Sequence, residues 1–592
     1  MAETLKTFEL DDNLPPLPVP TLAETCARYL LTVEPLVSAE EFEKAKAATT
    51  ELLIPGGTGE KLQALLEARA AKSDNWLSGW WEDFAYLAYP DPIVLNSSIG
   101  ISSDPENAPG HQASRAALIT NGALKFYLAV INETLPPEQQ RDGSGFDMSL
   151  LRRFLAATRM PGLKSDRLVN YGPDEAGHIL VIRRGQYFIV DAITPSGEAL
   201  DTATLRVQFE RIIAATDANE LPPAVGVLTA DERPRWAVER GRLALNPVNR
   251  GSIDQIDRAI FVVCLDDKSY DTATALAHAG LHGDKGNRWH DKSLHLIIDQ
   301  QGRFTLHGEH APVDAGAWCP LIDMIAPLAD PVESISDTRH IAQPKQLTWQ
   351  LSPESLTAID LAAATFDGLV DNLDLQMSPF TDFGKDLIKT FKTGPDPMIQ
   401  MSFMLAYYRR YGRLPKTYEA ASTRMYKGGR TETIRTASNK ALTLVKAMDD
   451  ATKTSVEKTK MIRDAFAEHS KRGKDASAGF GVDRHLFGLK IIAQENGITD
   501  LPAIFSQEVF TRGWELSTAQ VPLKHGYVNH FGPVCHDGYG IGYVIKNGQI
   551  NFNITSWRSS AVTDTQGFVA DIAKAMQDLR SVLAAEASEQ AA

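Results

Sequence analysis

Gly308-Glu309-His310-Ala311-Pro312-Val313-Asp314 decides how this chain is read. It follows Ser293-Leu294-His295-Leu296-Ile297-Ile298-Asp299, then Gln300-Gln301-Gly302-Arg303, then Phe304-Thr305-Leu306-His307. Two apolar runs of strand length around a glycine-bearing turn predict a buried strand pair. A histidine just past such a strand is held rigidly and can still face a cleft. Imidazole titrates near neutral pH, which suits a general base. Asp314, four residues on, can orient the loop. A lone His-x-x-x-Asp is weak, and a histidine taken by itself is more often structural.

The surrounding chain sets bounds on that reading. Its 592 residues exceed one ordinary core and suffice for two or three domains. Hydrophobic residues at 43% and charged residues at 23% fit a soluble globular protein. A formal net charge of -15 argues against a broad basic face for nucleic acid, while a local basic pocket for phosphates stays open. Cys26, Cys264, Cys319 and Cys535 lie far apart with no zinc spacing, so buried free thiols in a reducing compartment are expected. No apolar run reaches the ~18–20 residues of a membrane span. Met1-Ala2-Glu3-Thr4 begins an acidic N-terminus unlike a transit peptide, and Ser588-Glu589-Gln590-Ala591-Ala592 is not a peroxisomal signal. A soluble cytoplasmic protein is the expectation.

Leu14-Pro15-Pro16-Leu17-Pro18-Val19-Pro20 is an extended lead-in. Helical patterns follow at 21–33, 39–53 and 60–72, with Thr21 and Ser38 as caps. Residues 110–160 read as mostly helical, 178–190 as a hairpin and 259–265 as a buried strand. The Pro-, Asp-, Ser- and Gln-rich stretch 328–350 reads as a link between halves. Beyond it, 354–412 and 432–470 read as helical and 469–479 as an exposed loop. Asn547-Gly548 predicts a tight hairpin between 538–545 and 549–554. A final helix aligns Phe568, Ile572, Met576, Leu579 and Leu583 on a core face. Strands mixed with helices throughout predict an α/β protein, and no internal sequence repeat stands out. Pro55-Gly56-Gly57-Thr58-Gly59-Glu60-Lys61 and Gly538-Tyr539-Gly540-Ile541-Gly542 are glycine-rich but lack nucleotide-loop spacing.

From about residue 14 to 585 the chain resembles the choline/carnitine acyltransferase family. The resemblance rests on Pro15 to Pro20, Asn75-Trp76-Leu77-Ser78-Gly79-Trp80-Trp81, Gly286-Asn287-Arg288-Trp289 with Asp291-Lys292, and Glu309-His310. It continues through Phe383-Gly384-Lys385, Thr417-Tyr418-Glu419, Gly429-Arg430-Thr431-Glu432-Thr433-Ile434-Arg435, Asp483-Arg484-His485, Leu516-Ser517-Thr518 and Asp537-Gly538-Tyr539-Gly540. The resemblance implies two similar α/β domains of the CoA-dependent acyltransferase fold, like chloramphenicol acetyltransferase, with a tunnel between them. The domains are expected at 1–350, carrying the catalytic His, and 351–592, carrying most CoA and carnitine contacts. The helices near 21–72 are candidates to pack on the second. The implied activity is reversible transfer of an acyl group between CoA and the hydroxyl of L-carnitine. CoA and acyl-CoA are substrates, and neither a permanently bound cofactor nor a metal nor an acyl-enzyme is implied. A monomer is expected.

His310 suits deprotonation of carnitine's hydroxyl, a poor nucleophile at neutral pH. Glu309 and Asp314 read as structural. Carnitine's carboxylate calls for a partly buried arginine and hydroxyl donors. The resemblance puts that task on Tyr86, Tyr418, Thr431 and Arg484, together with Ser517. Retention of Thr431 and Arg484 favours carnitine over choline. Phe531 matches the aromatic residue near the quaternary ammonium. Lys385 and Lys389, four apart on one helix face, match the lysines for the CoA 3′-phosphate, and Asp396 matches a further CoA contact. The family's Ser-Thr-Ser reads Ser517-Thr518-Ala519 here, so one hydroxyl expected at the oxyanion is missing. Asn529 stands where short-chain members carry methionine and longer-chain members glycine, which points to short- or medium-chain acyl groups. The alternatives are another hydroxyl acceptor, a carrier-protein-bound acyl donor, or an acyl-CoA-binding protein with weakened catalysis.

Overall fold

Strand-forming runs recur in two groups, one on each side of residue 350. The computed structural model describes residues 5–591 except 105, 107–109, 219 and 330, with side chains through 585. Met1 to Thr4 and Ala592, part of the reading of targeting signals, lie outside the described residues. Along the chain the strands are β1 (Ser98–Ser102), β2 (Ala157–Met160), β3 (Arg167–Asn170), β4 (His178–Arg183), β5 (Gln186–Asp191), β6 (Val262–Leu265), β7 (His295–Ile298) and β8 (Phe304–Glu309). They continue with β9 (Lys345–Gln346), β10 (Leu373–Phe380), β11 (Thr417–Ser422), β12 (Thr431–Ile434), β13 (Leu516–Gln520), β14 (Val528–Phe531), β15 (Tyr539–Ile545) and β16 (Ile550–Trp557).

One sheet has the order β14-β1-β8-β7-β6-β4-β5-β9 and the other β10-β16-β15-β13-β11-β12; β2 and β3 pair separately. The two large sheets repeat one topology. In the first, β5 and β4 form an antiparallel hairpin, β4, β6 and β7 run parallel, and β8 and β1 follow antiparallel. In the second, β12, β11, β13, β15, β16 and β10 follow the same pattern with the same senses. The chain is therefore an α/β protein built from two similar units. β14 breaks the symmetry. It leaves the second half between β13 and β15 and pairs antiparallel with β1 at the edge of the first sheet.

Thr21 and Ser38 each close a capping box, with Glu24 and Glu41 returning the bond. The helices they start, Leu22–Val33 and Ala39–Leu52, join Thr58–Ala70 in a cluster with Trp76 and Trp80. That cluster packs on Leu486, Leu489 and Ile492 of the helix Asp483–Glu495. The helix Thr565–Ala591 buries Phe568, Ile572, Met576, Leu579 and Leu583 to 1% exposure or less. At ~1.5–3 kcal/mol for each fully buried apolar side chain, that stripe is core.

Several expectations need correction. Within 110–160 the helices are Gln112–Ile131 and Leu151–Phe154, and 132–150 is irregular. β10 interrupts 354–412, because Leu373, Leu375 and Met377 alternate into the core. Residues 469–477, read as an exposed loop, finish the helix Ser455–Ser477. The lysines of that stretch face solvent on the outer side of the helix, while Ala476 and His469 pack inward.

Candidate active site

β8 ends at Glu309, and His310 is the first residue beyond it. The Glu309 carboxylate turns inward. It accepts from Arg159 Nη1 at 2.7 Å and from the Ala311 N–H at 3.0 Å, so it anchors the loop. His310 Nδ1 lies 2.8 Å from the Val313 carbonyl oxygen. A carbonyl only accepts, so Nδ1 carries the proton and Nε2 keeps its lone pair. That is the tautomer a base requires. The Asp314 carboxylate is 3.8 Å from Nδ1 but faces Arg430, which donates to it at 2.7 and 3.2 Å. Burial opposes Asp314's ionisation, but the Arg430 guanidinium overrides it and holds the carboxyl below its usual range. Arg430 also donates to the carbonyls of Ala311 and His310 at 2.9 and 3.2 Å. A residue just before β12 thus clamps the loop after β8, and the two halves meet at His310.

Tyr86 lies in the short helical turn Asp83–Leu87, its ring centroid 5.1 Å from that of His310. Burial pushes its phenol up, so it stays protonated. Trp81 meets Tyr86 edge-on at 6.2 Å, and the Arg484 guanidinium lies 3.6 Å from the Trp81 ring centroid. Arg484, in the first turn of the helix Asp483–Glu495, is 5% exposed. It donates to the Tyr418 hydroxyl at 3.2 Å, to Thr431 Oγ1 at 3.3 Å, to the Thr431 carbonyl at 3.0 Å and to Thr433 Oγ1 at 3.4 Å. Among the described residues no carboxylate comes within ion-pair distance of it. The carboxyls of Glu432 and Asp483 act on it only from beyond that distance, so the guanidinium has room for a direct carboxylate partner.

Ser517 on β13 aligns with Tyr418 on β11 and Gly540 on β15. Side chains alternate along a strand, so Ser517 and Ala519 share a face while Thr518 points the other way. Thr518 bonds Gln400 at 3.0 Å on that side. β14 brings Asn529 and Phe531 to the second sheet and turns His530 into the first, 3.0 Å from Ser102 Oγ. The approach is close. A Cβ on Gly542 would lie 2.3 Å from the Asn529 carbonyl oxygen, and one on Gly540 3.2 Å from the Phe531 ring. Asn529 Nδ2 donates to the Ala519 carbonyl at 3.3 Å.

His310, Tyr86, Tyr418, Thr431 and Arg484 are thus linked into one wall, with Ser517, Asn529 and Phe531 along β13 and β14. Lys385 and Lys389 lie apart, on the helix Lys385–Thr390, half-buried and exposed respectively. Asp396, in the first turn of Pro395–Tyr411, accepts from the Tyr543 hydroxyl at 2.6 Å. It joins the wall through Tyr543, Gln400, Thr518 and the Tyr418 carbonyl, each bond 3.0 Å or shorter. Three residues gained their part only in the structure. Trp81 carries the guanidinium of Arg484, Arg430 clamps the loop, and Arg159 ties Glu309 to the Tyr86 carbonyl at 2.7 Å. Trp81 and Arg430 stood within matched motifs, but nothing near Arg159 in sequence signals its role.

A histidine between two α/β sheets, near a buried arginine whose guanidinium bonds only neutral acceptors, is an arrangement that suits acyl transfer. The chain belongs to the choline/carnitine O-acyltransferase family, whose pattern matches residues 17–574. It is 37% identical to a carnitine O-acetyltransferase of Columba livia, covering 97% of this chain and 94% of that one. It is 33% identical to a peroxisomal carnitine O-octanoyltransferase of Bos taurus (98% and 97%) and 33% identical to a choline O-acetyltransferase of Danio rerio (96% and 93%). It is an acyltransferase. Among the described residues no helix is long and apolar enough to cross a membrane.

Proposed function

We propose that this enzyme reversibly transfers a short- or medium-chain acyl group between CoA and the hydroxyl of L-carnitine. His310 Nε2 takes the hydroxyl proton as the oxygen attacks the thioester carbonyl, then returns it to the departing CoA thiolate. No acyl-enzyme is required, since acceptor and thioester meet at one base. The oxyanion falls to Ser517 and to carnitine's own ammonium near Phe531. Lys385 and Lys389, without ion pairs among the described residues, suit the CoA 3′-phosphate, with Asp396 as a further CoA contact.

The observation that carries this reading is Arg484. Its buried charge has four neutral acceptors and no carboxylate. A carboxylate-bearing acceptor supplies the missing ion, and choline cannot. Arg484→Gln is therefore expected to raise KM for L-carnitine about 10- to 150-fold, the worth of a charge-assisted bond of ~1.5–3 kcal/mol. Steady-state kinetics with L-carnitine and choline check this, and an unchanged carnitine KM would refute it.

Ala519 favours a second reading in which the acceptor is another hydroxyl compound. It shares Ser517's face and offers no hydroxyl, and one lost oxyanion donor costs about 100- to 1000-fold in rate. An acceptor screen decides. Any alcohol whose kcat/KM exceeds that of L-carnitine would displace the leading proposal.

A further inference from the structure

We infer that Asp396, Glu419 and His469 form a site for one divalent transition-metal ion of the zinc class at the mouth of the CoA-binding region. The ion regulates the enzyme by competing with CoA and takes no part in acyl transfer. The coupling to CoA rests on the function proposed above, whereas the metal site itself does not.

Three elements converge here. Asp396 comes from the first turn of Pro395–Tyr411, Glu419 from β11 and His469 from the helix Ser455–Ser477. His469 Nε2 is 3.1 Å from Asp396 Oδ2 and 3.3 Å from Glu419 Oε2, and one oxygen or nitrogen from each residue falls within 4.8 Å of the others. Nitrogen and oxygen ligands held about 2.0–2.1 Å from a tetrahedral zinc ion sit about 3.3 Å apart, which the two distances from His469 match.

Glu419 and His469 are 4% and 3% exposed. Glu419 Oε2 has no hydrogen-bond donor, since the one Nε2–H of His469 goes to Asp396. A buried carboxyl oxygen aimed at two other ligand atoms is stable only with a proton or a cation between them. A dication there would offset the charge of the two carboxylates. Asp396 Oδ1 is oriented by the Tyr543 hydroxyl at 2.6 Å, and Tyr543 by Gln400 at 3.0 Å, which leaves Oδ2 for the ion. Asp396 and His469 also line a cavity of about 420 Å³ with Ser470, Gly473 and Lys474. That opening leaves a fourth coordination position for water. An ion at Asp396 would remove the CoA contact proposed there.

The test titrates the metal-free full chain with Zn2+ by calorimetry and with Co2+ by visible absorption, without CoA. Wild type, Glu419→Gln and His469→Gln are compared, with circular dichroism confirming each fold. The expected result is one ion per chain, tetrahedral Co2+ bands, and at least tenfold weaker binding in both variants. Absence of stoichiometric binding in wild type, or equal affinity in a folded variant, would overturn the site and reveal at most adventitious binding. Should one variant fail to fold, the other and the wild-type Co2+ spectrum still decide. CoA is then added to the Zn2+ titration. A raised apparent Kd supports competition. Undiminished, Glu419-dependent binding would instead refute the placement of CoA at Asp396.

Discussion

At the residue scale, the His310 loop is held by charge rather than by packing alone. Arg159 binds Asp166 and Glu309 at 2.7 Å each, Ser97 Oγ at 3.2 Å and the Tyr86 carbonyl at 2.7 Å. One buried guanidinium thus spaces the Tyr86 ring and the His310 loop. Removing one partner of a buried ion pair strands the others, at about 3–5 kcal/mol. Arg159→Leu is expected to lose that much in denaturant unfolding. Arg159→Lys should fold yet lower kcat more than the carnitine KM changes, because a lysine ammonium cannot reproduce the planar fork. An unchanged kcat in Arg159→Lys would show the contact to be structural only. His310, Arg484 and their companions were legible because the motifs around them are specific in combination. Arg159 was not, since Glu309 and Tyr86, the partners that tie it to the site, lie 150 and 73 residues away in sequence.

At the element scale, β14 is the unexpected part. A strand from the second half completes the first sheet, so Asn529 and Phe531 sit where the two units meet. Gly540 and Gly542 permit that approach, which gives a purpose to glycines read from sequence as part of a hairpin strand and a family motif. Asn529 is 6% exposed and its Oδ1 has no hydrogen-bond partner. If it floors the acyl pocket, Asn529→Gly should raise the octanoyl- to acetyl-CoA ratio of kcat/KM at least tenfold, since each buried CH₂ contributes ~0.8 kcal/mol. Competition kinetics with the two donors measure the ratio, and no change would place the acyl chain elsewhere. The hairpin at Asn547-Gly548 and both capping boxes were legible because their signals are local. β10 was not, because its alternation is short and follows directly on the helix Pro353–Asn372.

At the scale of the whole molecule, the repeated topology of the two sheets leaves no internal repeat in the sequence and was expected only from the family resemblance. Strand order and direction need only buried apolar runs in the right sequence, not identical residues. The first sheet and its helices also hold seven buried or half-buried imidazoles, and burial lowers all of them: His282, His307 and His530 to about 3, and His178, His278, His290 and His295 below the usual value. Lowered folded values mean that the unfolded chain binds the extra protons. Their contribution is fully present above pH ~6.5 and is lost as pH falls below it, at about 1.4 kcal/mol per unit for each histidine. Glu432 and Asp11, raised by burial to about 7 and about 6, and Asp83, Asp257 and Glu419, also raised by burial, act oppositely and offset part of the histidines' contribution. Stability is therefore expected to fall steeply between about pH 6 and 4, by roughly 4 kcal/mol or more per unit, as urea unfolding would show. A flat profile over that range would mean the imidazoles already carry charge.

The central claim is that His310 removes the proton of a carnitine hydroxyl attacking an acyl-CoA. Release of free CoA thiol from acetyl-, octanoyl- and palmitoyl-CoA, with and without L-carnitine, by wild type and His310→Ala tests it most directly. The account predicts carnitine-dependent release that drops at least ~100- to 10,000-fold in the variant, the contribution of a positioned base. Release that persists in His310→Ala, or no carnitine-dependent release by wild type with any donor, would contradict it.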